Sequence, residues 1–418
     1  MTAADVTEIT SFQPKDIHTL EDTGLPYSLL FDLLLKHAYF EGIATLATLA
    51  KRLKLNSAVI HPIFRHWQRE QLCSTRSMVG NDYEIALTTR GREMAELALK
   101  KGHYAGPAPV PIADYNRAVS QQDIRVRITA ATLESALRDL IVSDELIQRL
   151  GAALVTGGAI LFYGGTGNGK TSIAERLNRI FGDLVFVPHA VEISGHIVSV
   201  FDPLIHRAEE ADTGPNDARG VHCKRPVVKV GGEMRAEMLE PQLDEITRTC
   251  VAPIQMKANN GILLIDDFGR QRITPRELLN RWIVPLDRRT DLLSLWSGIS
   301  FEIPFELLVI FATNLPVSDL AEDAFLRRLK NKIKIGCLNE DLFRSLVRRV
   351  CSDMNLPLTT AMEDYITRQC SRRSRDGLRA CYPADLAVIL RGRAAFEERA
   401  PTLEKEDVDR ALQVYFGE

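Results

Sequence analysis

The run Gly164-Gly165-Thr166-Gly167-Asn168-Gly169-Lys170-Thr171 constrains this chain more than any other segment. Its spacing, G-x-x-x-x-G-K-[ST], is that of a phosphate-binding loop, and its flanks supply what such a loop needs. Ala159-Ile160-Leu161-Phe162-Tyr163 predicts a buried strand, and Thr171 to Phe181 carries Ile173, Ala174, Leu177 and Ile180 at helical spacing. Between them, glycines let backbone N–H groups turn inward on phosphates, while the start of the helix adds the positive end of its dipole. Lys170 would reach the outer phosphates, and the Thr171 hydroxyl would ligate Mg2+. The residues from Gly164 to Thr171, with Ser172 after them, are the candidate binding set. A nucleoside triphosphate with Mg2+ is the expected ligand.

Bulk properties narrow the setting. With 418 residues, 45% hydrophobic and 26% charged, the chain has the composition of a soluble globular protein of two or three domains. A net charge of -3 argues against a general polyanion binder. The longest apolar stretches, Gly151 to Tyr163 and Leu307 to Ala312, fall short of a membrane span, and Met1 to Thr10 lacks the basic and apolar regions of a leader. A cytoplasmic location is expected. The seven cysteines are scattered without a C-x-x-C pair, which predicts reduced thiols. His189, His196, His206 and His222-Cys223 lack zinc-ligand spacing.

Gly106-Pro107-Ala108-Pro109-Val110-Pro111 reads as a semi-rigid linker, giving expected boundaries of 1–105 for an N-terminal domain and 106–122 for the linker. Before it, Leu29 to Phe40, the set Leu46, Leu49, Ala50 and Leu53, and the set Ile60, Ile63, Phe64 and Trp67 mark three helices. Pro62 implies that the third either starts there or is kinked. Tyr83, Ile85 and Leu87 alternate after Gly80-Asn81-Asp82 as the second strand of a hairpin, and Thr88 to Leu99 returns to helical spacing. This order resembles a winged helix-turn-helix domain. Residues 45–92 hold eight basic side chains (Lys51, Arg52, Lys54, Arg65, Arg69, Arg76, Arg90, Arg92) against three acidic ones, which permits phosphate contacts. The third helix nevertheless offers only His61, Arg65, His66, Gln68 and Arg69 as polar candidates, and protein docking stays open beside duplex DNA binding.

Thr132 to Leu150 reads as helical lead-in to an α/β core over 123–336. From 337 to 418 the pattern is helical throughout: Glu340 to Met354, Thr359 to Arg372, Pro383 to Phe396, Lys405 to Tyr415. A helical lid on a parallel sheet is implied. Ile262-Leu263-Leu264-Ile265-Asp266-Asp267 is an apolar strand ending in two carboxylates, which places both at the carboxyl edge of the sheet. Asp266 would hold Mg2+, and Asp267 would orient a hydrolytic water. Leu307 to Ala312 is another buried strand, ending in Thr313-Asn314.

With these motifs the segment from about 130 to 415 resembles the AAA+ ATPase superfamily, a P-loop parallel sheet with a helical lid, and the resemblance implies ATP as the triphosphate. The resemblance implies a sensor-1 role for Asn314, with Thr313 as the alternative, and an arginine finger in Ala324-Phe325-Leu326-Arg327-Arg328-Leu329, Arg328 ahead of Arg327. Such a finger acts on a neighbour's nucleotide, so a homo-oligomeric ring, a hexamer by preference, is implied. Asp291 to Phe305 predicts a β-hairpin before the sensor-1 strand, which resembles the MoxR-like, chelatase-like and replicative branch. A second insertion is expected between Glu192 and Val230, with Val227-Val228-Lys229-Val230 and the Ile193-Ser194-Gly195-His196 turn as either pore-facing or surface hairpins. The chain departs from the pattern twice. Asp267 stands where glutamate is usual, a difference of about 1.5 Å in reach that matters for chemistry, and Ala384 stands where many members carry a sensor-2 arginine, leaving Arg379 or Arg375 as substitutes. Three functions follow: remodelling of a protein client, recruited directly or through an adaptor; a DNA-directed ATPase; and an ATP-gated scaffold with slow hydrolysis.

Overall fold

Five short strands form the central sheet of the computed structural model, which describes residues 12, 14–80, 82–122, 128–209, 217–246, 248–320 and 329–417. They are β1 (Ile160–Tyr163), β2 (Val227–Val230), β3 (Ile262–Ile265), β4 (Leu308–Thr313) and β5 (Asn331–Lys334). All pairings are parallel, in the order β2-β3-β4-β1-β5. β3 and β4 are buried along their whole length, as uninterrupted apolar runs covered on both faces must be. One face packs on Ile173, Ala174, Leu177 and Ile180 of the helix after the phosphate loop; the other packs on Leu278, Leu279 and Trp282. The expected α/β parallel sheet is present. Register sets Thr313 beside Tyr163 and Ile265 beside Phe311, so β1, β3 and β4 end at one carboxyl edge.

Val227–Val230 corrects an expectation. It is neither a pore-facing element nor a surface hairpin but the edge strand of the core, paired residue for residue with β3 from Val227–Ile262 to Val230–Ile265. The Ile193–His196 turn does close a hairpin, between strands Ala190–Ile193 and His196–Ser199. That hairpin belongs to a second five-stranded sheet, with Gln242–Asp244, Thr249–Val251 and Val110–Pro111. The expected hairpin before β4 is formed by Thr290–Ser294 and Ser300–Pro304; Leu293, Leu295, Phe301 and Ile303 point inward, while Leu292 and Trp296 are exposed.

Helices Glu340–Asp353, Thr360–Arg373, Tyr382–Phe396 and Lys405–Phe416 share one apolar core, built around Phe343, Val347, Leu386, Leu390 and Leu412. At the other end, helices Tyr27–Glu41, Leu46–Leu53 and Ser57–Arg69 pack against a three-stranded antiparallel sheet, Ile43–Thr45, Cys73–Val79 and Asp82–Leu87, with the last strand central; helix Thr89–Lys101 follows. Thr45, Asn56 and Thr88 cap the helices that follow them, each side chain accepting a backbone N–H. The Asn56 cap starts the third helix five residues before Pro62, which sits inside it. Among the described residues no helix is long and apolar enough to cross a membrane.

The segment from Gly106 to Pro111 does not span open solvent. The Ala108 N–H donates to Leu53 O at 2.9 Å, the Tyr104 hydroxyl donates to Pro107 O at 2.8 Å, and Val110–Pro111 adds a parallel strand beside Val191 and Glu192. Arg219, 1% exposed, pins the junction. It is paired with Asp217 at 2.6 Å, and its Nη1 donates to Thr23 O at 2.9 Å and Pro109 O at 3.0 Å. Arg219→Met would leave the buried Asp217 carboxylate unpaired, a loss of about 3–5 kcal/mol. Chemical denaturation and limited proteolysis should show lower stability and cleavage near 106–111; an unchanged unfolding midpoint would show that the pair does not hold the junction.

Candidate nucleotide-binding site

The loop after β1 has the backbone its sequence requires. Gly164 has φ 139°, and a side-chain carbon there would lie 2.2 Å from the carbonyl oxygen of Ile335, just past β5. Only glycine lets the loop leave β1 this close to its neighbour. Gly169, with φ 85°, is the left-handed residue at the start of helix Lys170–Arg176. Asn168 is buried inside the loop; its Nδ2 donates to Ile335 O at 3.5 Å, while its Oδ1 has no partner. The Lys170 ammonium lies over the loop, donating to Gly164 O and Gly165 O at 2.9 Å each. Burial lowers its pKa, against the pull of Asp266 and Asp267.

Across β4, which separates β1 from β3, the Thr171 hydroxyl reaches both carboxylate oxygens of Asp266 at 3.0 Å. A hydroxyl and a carboxylate side by side at the loop form the hard oxygen donor set that suits Mg2+. Asp267 follows in a left-handed conformation, φ 48°, and lines the same cavity. Such a backbone costs a non-glycine residue about 1 kcal/mol or more, and surrounding contacts must hold it. Here the Gln271 amide donates to Asp266 O at 2.7 Å and accepts from Gly269 N at 2.8 Å, while Phe268 N donates to Ala312 O at 2.7 Å. The turn thus aims the second carboxylate at the cavity.

That cavity, of about 870 Å3, has two chemically different parts. Thr166 to Ser172, Asp266 and Asp267 make the polar end; Leu140, Ile141, Val142, Leu342 and Leu346, from the lead-in and the C-terminal helices, supply apolar surface fit for a flat base, with Asp139, Glu145 and Arg149 among them. The lid touches the loop directly. The Cys381 N–H donates to Gly167 O at 2.9 Å, and a side-chain carbon on Gly167 would lie 2.5 Å from Cys381 Sγ. Ala384 lines the cavity, as its place in the sequence implies. Of the two arginines considered as substitutes, Arg379 sits beside Gly167, ion-paired with Asp376 and with its Nε buried and without a hydrogen-bond partner, whereas Arg375 is exposed.

The remaining candidates divide. Thr313 is 1% exposed and its hydroxyl donates to Phe268 O at 2.7 Å, so it pins the turn after β3. Asn314, half-buried, is delivered by the Thr313–Tyr163 register to the neighbourhood of Gly164, but is not part of the cavity wall. Arg327 and Arg328 lie outside the described residues. Lys229 on β2 was not anticipated. Its ammonium is 3.4 Å from Asp266 Oδ2 and 3.0 Å from Glu175 Oε1. Partial burial opposes its charge, yet the two carboxylates hold its pKa above the ordinary value. Its signal in the sequence is a lone lysine in an otherwise valine strand. Asp139, bound by Arg176 at 2.8 Å and Arg179 at 2.6 Å, ties the lead-in to the loop helix and was likewise missed.

Comparison with known proteins adds little to this geometry. A family model described as a domain of unknown function (DUF8689) matches residues 339–414, the lid helices. No curated protein matches the chain. Among solved structures, the Thermotoga maritima RuvB Holliday junction branch migration motor is similar at TM-score 0.40 and 15% identity, over 70% of this chain and 72% of that one. NtrX from Brucella abortus is similar at TM-score 0.37 and 12% identity, over 72% of this chain and 57% of that one. The fold stands on the strand order and the loop, not on these distant likenesses.

Lys229→Met should free Asp266 from a competing cation, so that Mg2+ supports nucleotide binding at severalfold lower concentration in a titration with a fluorescent nucleotide. An unchanged Mg2+ midpoint would show that the pair has no bearing on the metal.

Proposed function

We propose that this chain is an AAA+ ATPase that binds and hydrolyses ATP as a homo-oligomeric ring, hexameric by preference, and uses the cycle to remodel a protein client. The observation that carries the reading is the Thr171 hydroxyl within 3.0 Å of both Asp266 oxygens, at the polar end of a cavity that also offers apolar surface. The residues fit a nucleotide and Mg2+. The glycine cradle admits no side chain at Gly164 or Gly167, the buried Asn168 Oδ1 lacks a partner, and Thr171 with Asp266 supplies hard oxygen ligands. Residues Gly164 to Ser172 would hold the phosphates, and Thr171 and Asp266 the Mg2+, which would supply charge neutralisation at the phosphates. Lys170 would exchange its two carbonyl acceptors for phosphate oxygens. Asp267 would orient the water, and Asn314 would assist beside the first loop glycine. Arg327 or Arg328 of a neighbouring subunit would complete the site. The N-terminal unit, read as a winged helix, would recruit the client or its adaptor, and a cytoplasmic setting suits all of this.

One observation favours a second reading. On helix Ser57–Arg69 the side chains of His61, Arg65 and Arg69 are exposed, and Arg76 on the following strand is exposed as well, the disposition a duplex-binding winged helix needs. His66 is committed elsewhere, 2.6 Å from the Tyr27 hydroxyl. In that case ATP would drive assembly or translocation on DNA.

Turnover measurements separate these readings. Lys170→Ala should abolish ATP binding, Asp267→Asn should bind ATP in an oligomer while phosphate release falls by roughly a hundredfold or more, as expected when the group that positions the nucleophile is lost, and duplex DNA should leave wild-type turnover unchanged. Strong stimulation by DNA, lost in Arg65→Ala with Arg69→Ala, would transfer the assignment to the second reading. ATP binding without measurable phosphate release in the wild type would leave a nucleotide-gated scaffold.

A further inference from the structure

A second cavity, of about 610 Å3, lies between the N-terminal unit and the second sheet, away from the phosphate loop. Its volume falls within the range of small-molecule sites, about 300–1,000 Å3. One wall is the face of helix Tyr27–Glu41 bearing Leu29, Leu33 and Lys36; the other brings His196, Arg248 and Trp296 from three separate turns and hairpins.

Lys36 sets the chemistry. It is only 6% exposed, and its ammonium donates to Gly102 O at 2.6 Å and Tyr104 O at 3.4 Å. An ammonium has three N–H donors, so one remains. Among the described residues no carboxylate lies within ion-pairing distance of it, and Asp32, one turn earlier on the same helix, is committed to Lys101 at 2.8 Å. Burial lowers the Lys36 pKa, against the pull of Asp32. A buried positive charge in a cavity wall, bonded only to carbonyl oxygens and with Asp32 acting on it at longer range, suits an anion, and the wall's four cations (Lys36, Lys100, Lys101, Arg248) outnumber its two carboxylates (Asp32, Glu245). Arg248 adds a second cation; its Nη1 donates to Lys100 O at 2.7 Å while its side chain stays exposed.

Trp296 sets the shape. It is 48% exposed, whereas the other two tryptophans, Trp67 and Trp282, are fully buried. The His196 ring meets it edge-on at 5.0 Å, which fixes the indole and leaves ring surface for a planar partner. A flat platform beside cations is how proteins hold a base and its phosphate.

We propose that this cavity binds a nucleoside phosphate, presented either by a single strand of nucleic acid or as a free mononucleotide, with Lys36 and Arg248 on the phosphate and Trp296 against the base. The proposal does not depend on ATP hydrolysis.

The test uses the full chain carrying Lys170→Ala, which removes the phosphate-loop site. Tryptophan emission, dominated in its response by the exposed Trp296, is followed during titration with a ten-nucleotide oligothymidylate and, separately, with thymidine monophosphate. Saturable quenching by either supports the proposal: quenching by the oligomer alone assigns a strand, and quenching by both assigns the mononucleotide unit. Adding Lys36→Met or Arg248→Ala should weaken the response at least tenfold, and affinity for the oligomer should fall between 50 and 200 mM salt. Circular dichroism checks folding; Arg248→Ala, at an exposed side chain, carries the test should Lys36→Met fail to fold. Absence of quenching by both ligands, affinity unaltered in Arg248→Ala, or equal quenching by polyglutamate would overturn the assignment.

Discussion

The contact from Thr171 to Asp266 is the constraint on which the rest of the structure turns. Two segments about a hundred residues apart supply it, and β4 stands between their strands. The contact exists only because β1, β3 and β4 are parallel and in register, so that their carboxyl ends coincide and the loop from β1 can lean across β4. Every apolar side chain buried along these strands serves that alignment. A shift of one residue in β3 would turn Asp266 to the opposite face of the sheet. Lys229 on β2 extends the same edge, bringing a cation to the carboxylate proposed to hold the metal.

Two further contacts tie distant parts of the chain to this edge. The Cys381 N–H on Gly167 O ties the start of helix Tyr382–Phe396 to the glycine loop. Buried Arg219, just before strand Gly220–Lys224, joins Thr23 and Pro109, so the N-terminal unit is anchored to the body of the chain rather than tethered to it. Both rest on backbone carbonyls as acceptors, groups present whatever the side chain.

Local signals made much of this legible in the sequence. The glycine spacing of the loop, the uninterrupted apolar runs of β1, β3 and β4, the alternation around Ser297-Gly298 and the helical periods of the lid all report structure set by neighbours in sequence. Pairings between remote segments left no such signal. Val227–Val230 is four residues long and carries a lysine, which left it open between a pore-facing element and a surface hairpin, although β3 accepts it as the core edge. The three prolines of Gly106 to Pro111 suggested a spacer, yet proline is tolerated on the edge strand that Val110–Pro111 becomes. The resemblance put Asn314 ahead of Thr313 without giving either a partner; the buried hydroxyl bond to Phe268 O is what assigns Thr313 a structural role. The charged partners Lys229, Asp139 and Arg219 are single residues whose meaning depends entirely on what the fold sets beside them.

The central claim is that Thr171 and Asp266 together form a metal-dependent triphosphate site. Its most direct test is the equilibrium affinity for ATP with Mg2+ and with Mg2+ chelated, in the wild type and in Thr171→Val. The account predicts that Mg2+ strengthens binding to the wild type, and that Thr171→Val loses this gain while keeping the affinity measured without metal. An identical Mg2+ effect in both proteins would contradict it.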